Sequence, residues 1–258
     1  MVNNDLEEIQ KVRIAEDHNY LESRKHLGDT VSLIQDLVEL YDLIPEIVKG
    51  AKIEINNKNI LIINFILACR YYLTIGALTC LRGHLTDSLY FIRSAVEIAG
   101  FAQRIEKQPQ LAQVWLDSID NDESYEVYKK KFRVRKLFPK GHKLLNELYQ
   151  RYKFCAQTTH PSFYQFARRM VIAHNENKMS IGMNYCELKN DDLSEPIRTL
   201  LSIADIHFRI IQIFEDIFNK EINADRIRWD LNKNSVEAKL EYHKEKWKQF
   251  CQGPSQWK

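Results

Sequence analysis

The sequence is short of the residues that interrupt helices. Its 258 residues include only 8 glycines and 6 prolines, the two residue types that most strongly end or bend regular structure. So few breaks disfavour a sheet of many short strands and favour long helices. At this length the chain has enough residues to bury a sizeable hydrophobic core.

Cysteines are also few, and their spacing does not suit cross-linking. There are 5 of them, an odd number, and no pair has the CxxC spacing that is typical of zinc sites. This pattern predicts reduced thiols and not a disulfide framework. The first residues lack the apolar core of a signal peptide, so we expect a cytoplasmic protein.

Several signatures of catalytic or binding sites are absent from the sequence. It contains no GxxxxGK[ST], GxGxxG, HExxH, GxSxG or EF-hand loop, and no paired Glu-x-x-His of di-iron bundles. Conventional nucleotide-fold, zinc and di-iron chemistry is therefore disfavoured, and we expect no cofactor and no metal. The net charge of +2 is close to neutral, so nucleic-acid binding would need a local patch.

What the sequence does contain is helical periodicity along nearly its whole length. We predict an all-α fold, a single-domain multi-helix bundle over the whole chain. Residues 1–28 are predicted to form a peripheral N-terminal helix, and residues 233–258 a peripheral helix with a frayed tail. A second helix is predicted to begin at Asp29 or Thr30, which suit its N-cap. The stretch 175–192 is predicted to be an irregular loop or a short hairpin.

The most apolar segment comprises residues 60–81. It is long enough to span a membrane, but Arg70 near its middle costs roughly 2.5–3.5 kcal/mol on insertion. We therefore predict a buried soluble helix, and a membrane helix is the alternative. Apolar residues surround this helix on all sides, which predicts a central position with Arg70 buried. A buried arginine needs an acidic partner.

The next helix offers such a partner on a polar stripe. A projection at 100° per residue places Tyr90, Arg93 and Glu97 on one narrow face. One hypothesis is a solvated ion pair between Arg93 and Glu97 worth about 0.2–0.5 kcal/mol. The other is that Glu97 faces Arg70 and that the stripe lines an internal polar cluster. The remaining candidate partners of Arg70 are Asp87, Asp205 and Glu215.

The helix before Pro161 carries a second polar stripe. We assign its residues Tyr149, Lys153 and His160 to the same candidate polar cluster. His160 lies at the predicted end of that helix, where the helix dipole stabilises the charged imidazole. Two roles are open for it, a packing or capping histidine and a functional one.

The segment "KKKFRVRK" is the one strong positive patch. Its basic residues are Lys129, Lys130, Lys131, Arg133, Arg135 and Lys136. Phe132 lies among them and Phe138 follows, so the segment is a candidate surface for phosphate backbone or RNA. The alternative is an ordinary solvated segment whose charge is balanced by the acidic residues before it.

Two segments together resemble a recurring pattern of uncharacterised bacterial all-α proteins. In "LRGHLTDSLYFIRSAVEIAGFAQRIEKQPQLAQVWLD" an R-x-x-x-E helix precedes a proline and a tryptophan, and "YKFCAQTTHPS" ends a later helix at His-Pro. Such proteins are similar to HEPN-like helical bundles, many of which are metal-independent ribonucleases with an R-x4–6-H motif. This resemblance implies that Arg169 steadies a phosphate and that His174 or His160 takes the proton from a 2′-hydroxyl.

The sequence thus predicts a helical binding or protein-interaction module with an internal polar cluster. Its expected partner is a second copy or another protein, RNA is a further candidate, and a membrane is disfavoured. The alternative is a HEPN-like ribonuclease of a toxin or phage-defence type. The ribonuclease hypothesis requires Arg169 and His174 to converge on an open cleft beside the basic segment.

Overall fold

The computed structural model describes the backbone of residues 2–159, 170–175, 178–183, 186 and 193–251. In this part of the chain the fold is an all-α multi-helix bundle with one β-hairpin, which confirms the predicted fold class. Side chains are described for most of these residues, but not for 2–6, 159, 171–175, 178–183 and 250–251.

The helices and strands follow one another along the chain with short connections. They are α1 (Val2–Gly50), α2 (Asn57–Leu81), α3 (Leu85–Lys107), α4 (Leu111–Leu116), α5 (Asp122–Lys131), α6 (Val134–Leu137), α7 (Lys143–Thr159), β1 (Met170–Asn175), β2 (Lys178–Met183), α8 (Ser194–Ile217), α9 (Asn219–Ile222), α10 (Arg226–Lys246) and α11 (Lys248–Cys251). Short 3₁₀ turns follow α4 and α9.

The first helix is longer than the sequence predicts. Residues 1–28 were expected to form a separate helix, but α1 continues for 49 residues, about 73 Å at the usual rise. Thr30 does not cap a helix here. Its hydroxyl lies 3.2 Å from His243 Nδ1 and accepts a hydrogen bond from Trp247 Nε1 at 3.0 Å. The threonine therefore joins α1 to the C-terminal helices.

The hydrophobic core lies where α8 packs against α1, α2 and α3. Among its fully buried side chains are Leu37, Ile66, Leu73, Val96, Ile210 and Phe214. The side-chain carbonyl of Asn56 caps the start of α2 by accepting from Asn59 N at 2.9 Å. Gly83, with a φ of 93°, follows the end of this helix, as the sequence predicts, because glycine adopts this conformation without strain.

The predicted central position of α2 is wrong for one of its faces. The inner face is buried in the core, but Ile60, Leu67 and Tyr71 are 47%, 46% and 58% exposed. Within the described residues, α2 is the one helix long and apolar enough to cross a membrane, yet only 44% of its most apolar window is buried. A helix that is apolar all round need not be surrounded, since periodicity does not report what covers each face.

The non-helical segment is an antiparallel hairpin. In it, Met170 pairs with Met183 and Asn175 pairs with Lys178. The sequence predicts a loop or hairpin over 175–192, and the hairpin instead begins at Met170. The prediction was thus correct in kind and misplaced along the chain.

Candidate functional site

The polar stripe predicted on α3 lies against α7. Arg93 and Glu97 form the expected i,i+4 ion pair, with Nε 3.3 Å from Oε1. Their side chains are 24% and 29% exposed, so the pair is half-buried between two helices. The guanidinium of Arg93 also lies 5.6 Å from the ring centre of Tyr152 on α7, within the range of a cation–π interaction.

Tyrosines from three helices surround the Glu97 carboxylate. Burial raises the pKa of Tyr152, and the charge of Glu97 and a hydrogen bond to it raise this pKa further, against the opposite effect of Arg93. The pKa of Tyr128 on α5 and that of Tyr72 on α2 are also raised, first by burial and then by neighbouring groups that include Glu97. The sequence did not identify these three tyrosines, because each lies on a different helix.

The predicted residues of α7 lie beside this cluster. Tyr149 stacks on Phe138 with ring centres 5.2 Å apart, and also on Tyr152 at 6.2 Å. The ammonium group of Lys153 lies 5.1 Å from the ring centre of Tyr149. His160, which the sequence assigns to the same stripe, lies outside the described residues.

Tyr90 lies at the outer edge of the cluster. Its side chain is exposed, and its ring centre lies 5.7 Å from that of Phe91. Phe91 in turn lies 6.2 Å from Tyr72. The structure thus brings together Tyr90, Arg93, Glu97, Tyr149 and Lys153, as the sequence predicts.

Arg70 does not belong to this cluster. Its Nε lies 2.7 Å from Oδ1 of Asp42 on α1, and the arginine side chain is 39% exposed. The contact is an ion pair without an aligned hydrogen bond, because the Nε group has no acceptor in a suitable direction. The predicted burial of Arg70 and its predicted pairing with Glu97 are therefore wrong.

The other candidate partners of Arg70 are also engaged elsewhere. His84 lies 3.9 Å from Asp87, Lys244 lies 2.7 Å from Asp205, and Lys233 lies 2.6 Å from Glu215. Asp42 was missed because the argument from sequence favoured the helix that follows α2 over the helix that precedes it.

The basic segment forms a compact exposed surface at the end of α5 and around α6. We call Lys130, Lys131, Arg133, Arg135 and Lys136 the basic surface. Where the structure describes side chains, none of the five forms an ion pair with an acidic residue. Desolvation first, and then repulsion from nearby cations that include Arg133 and Arg135, lower the pKa of Lys136.

Lys129 differs from its neighbours. It forms an ion pair with Glu126 one turn earlier, and its ammonium group lies 5.0 Å from the ring centre of Tyr125. The acidic residues that precede the basic segment in sequence therefore neutralise Lys129 and leave the basic surface uncompensated.

The aromatic residues of this segment do not form a stacking surface. Phe132 and Phe138 are both buried, and Phe132 packs edge-on against Phe101 with ring centres 5.4 Å apart. The prediction that these two rings contact bases is therefore wrong. They hold the basic segment on the bundle.

Two further contacts fix the basic surface to α3. Arg104 Nε donates a hydrogen bond to the Lys131 carbonyl at 2.9 Å. A Cβ atom placed on Gly100 would lie 3.0 Å from Leu137 Cβ, so glycine is needed for the close approach of α6. The cations are thus mounted on a rigid support.

The candidate nuclease pair cannot be assembled from the described residues. Arg169 lies outside them, and His174 lies on β1 opposite Met179, with its side chain not described. The R-x4-H hypothesis therefore stays a prediction. In the side chains that the structure does describe, no group of three or more His, Cys, Asp or Glu could hold a metal ion.

Sequence reasoning also missed a buried polar contact between α1 and α8. The hydroxyl of Tyr41 lies 2.9 Å from Nδ1 of His207, and both residues are fully buried. Burial lowers the pKa of His207 to about 3, so the imidazole is neutral at physiological pH. We assign this pair to the core, since neither side chain reaches solvent.

No protein-family model, curated protein or solved structure matches this chain. The site is therefore judged by its own geometry. The Arg93–Glu97 cluster satisfies its charges internally, whereas the basic surface leaves its charges to solvent or to a partner.

Proposed function

We propose that this protein is a binding module that holds the phosphate backbone of a nucleic acid against the basic surface. The observation that carries this proposal is the group of five neighbouring cations without an acidic partner. Repulsion from the other cations contributes to the lowered pKa of Lys136. A bound polyanion would relieve that repulsion and recover its electrostatic free energy.

The same surface indicates how the partner is recognised. With Phe132 and Phe138 buried, the groups available to the ligand are flexible lysine and arginine side chains. Such groups contact phosphates and carry little information about base sequence. We therefore expect binding that depends strongly on salt and weakly on sequence.

The cluster around Arg93 and Glu97 supports the broader assignment as a binding module. Tyrosine and arginine are enriched in protein interfaces, where they provide large contact areas with a polar group at the end. The ribonuclease alternative has no comparable support from the described residues. It enters the experiment below as a second readout.

The proposal is tested by fluorescence anisotropy with a labelled single-stranded RNA and a labelled DNA duplex, each titrated at several salt concentrations. If all five cations contact phosphates, the slope of log K against log salt is about −3.5 for the single strand and about −4.5 for the duplex. The variant Arg133→Ala/Arg135→Ala should make the single-strand slope shallower by about 1.4, because two phosphate contacts are lost.

The matched control is Lys129→Ala. This residue is a cation of the same segment, but Glu126 already neutralises it, so its removal should change affinity little. The proposal is wrong if wild-type protein does not bind at low salt, or if Lys129→Ala weakens binding as much as the double variant.

The RNA from the same titration is then examined on a denaturing gel. Intact RNA is expected for a binding module. Cleavage that disappears in His174→Ala would instead support the ribonuclease alternative, whatever the outcome of the binding measurement.

A further inference from the structure

The outer face of α2 carries a regular row of exposed side chains. We call Ile60, Asn64, Leu67, Tyr71 and Thr74 the α2 seam, and all five are exposed. Their spacing alternates between four and three residues, which is the repeat that brings one side of a helix against a partner helix. A solvated face has no reason to keep this repeat with three large apolar residues.

The α2 seam continues into an aromatic surface on α3. Tyr71 lies 5.6 Å from Tyr72, Tyr72 lies 6.2 Å from Phe91, and Phe91 lies 5.7 Å from Tyr90, measured between ring centres. The apolar surface therefore spans two helices. Contiguous apolar surfaces of this kind on a protein often mark a binding site.

We infer that the α2 seam pairs with the α2 seam of a second copy of this chain. A twofold-symmetric interface presents the same patch from both sides, so the patch must be compatible with itself. The seam itself carries no charge, and Arg70 at its edge is already paired with Asp42. Two copies therefore meet without placing uncompensated like charges against each other.

Asn64 favours a protein helix as the occupant over a lipid surface. Its amide holds both donors and an acceptor, so it can bond to the same amide or to a tyrosine hydroxyl of another copy. A polar residue within a seam of this repeat also sets the register of paired helices. Lipid tails would leave that amide without a partner.

Charge at the edges points the same way. Helices that lie on a membrane carry lysine and arginine beside their apolar face, where they meet anionic lipids. The edges of this surface instead include the acidic residues Asp42, which is paired with Arg70, and Glu97, whose charge contributes to the raised pKa of Tyr72.

The size of the surface sets the expected strength. The α2 seam is about 21 Å long, and the surface spans two helices, each about 10 Å across. This footprint is smaller than the standard area of about 800 Å² per partner. We therefore expect a dimer with a dissociation constant in the micromolar range.

The test is sedimentation equilibrium of the whole chain up to about 300 µM, above the micromolar constant expected for a small interface. Leu67→Asp should raise the dimer dissociation constant at least about tenfold, because it places a charge in an apolar seam. Leu231→Asp is the matched control, since Leu231 is 73% exposed on α10, which packs against α1 and α8. Circular dichroism should show the same helix content in both variants.

A wild-type dimer that Leu67→Asp dissociates and Leu231→Asp preserves would support the inference. A wild-type monomer throughout this range would overturn it, and flotation with anionic vesicles would then show whether a membrane covers the seam. A dimer that survives Leu67→Asp would also overturn it, because the interface would lie elsewhere. None of these outcomes depends on the basic surface, so this test and the nucleic-acid test fail independently.

Discussion

Helix α8 and the basic surface carry their charges in opposite ways. On α8, burial by itself would raise the pKa of Asp205, but Lys244 and Arg209 outweigh it and hold that pKa below its usual value. Glu215, further along the helix, is buried and paired with Lys233 and Arg226. The five cations of the basic surface, by contrast, have no acidic partner among the described side chains.

The difference follows from the surroundings of each group. Removing one partner of a buried pair leaves a charge in a medium of low dielectric constant, which is strongly destabilising. Exposed like charges are solvated and screened, so their repulsion is small enough to be tolerated. The comparison teaches that charges in the interior serve the fold, while uncompensated charges at the surface are free to meet a partner.

The strongest way to break the comparison is Glu215→Ala. This change leaves Lys233 and Arg226 without the carboxylate that they share, and Lys233 is largely buried. We expect the free energy of unfolding to fall by about 2–4 kcal/mol, measured by urea denaturation. Glu241→Ala removes an exposed partner of Lys244 and should change stability by less than about 1 kcal/mol. Equal effects of the two variants would show that burial does not set the value of these pairs.

The second prediction concerns the neutral histidine of α8. His207 has a folded pKa of about 3, whereas the unfolded residue titrates near 6.5. As pH falls below about 6.5 the unfolded chain takes up a proton that the folded chain refuses, so stability decreases, by about 2 kcal/mol at pH 5.

This pH dependence is measured from urea midpoints between pH 7 and pH 5. His207→Gln removes the titrating group and should flatten the curve in this window. His18→Gln, at an exposed position, should leave the slope as it is in the wild type. An unchanged slope in His207→Gln would mean that other groups cause the loss of stability in acid.

The smallest expected effect belongs to the basic surface. Arg133→Ala/Arg135→Ala removes two exposed cations and relieves repulsion on Lys136. The free energy of unfolding should change by no more than about 0.5 kcal/mol, although the salt dependence of nucleic-acid binding changes clearly. A loss of more than about 1 kcal/mol would show that these arginines stabilise the fold.

Features that depend on local geometry could be predicted from the sequence. Few helix breakers and continuous periodicity indicated an all-α bundle, and Gly83 marked the end of α2. The ion pair between Arg93 and Glu97 also followed from sequence, because residues four apart are neighbours on any helix.

Features that depend on contacts between distant segments could not. Asp42, and not Glu97, pairs with Arg70, although nothing in the spacing of these residues distinguishes the two. Phe132 and Phe138 were assigned to a ligand surface, and the bundle buries both of them. The three tyrosines around Glu97 come from helices that are far apart in sequence.

The sequence by itself determined that this chain forms helices, where most of them end and which residues share a face. Helical hydrogen bonds and i,i+4 contacts lie within one segment, so local residues decide them. Only the tertiary structure decided which faces are covered. The open face of α2 and the uncompensated cations around α6 depend on what packs against them, and side chains brought from elsewhere in the chain determine that.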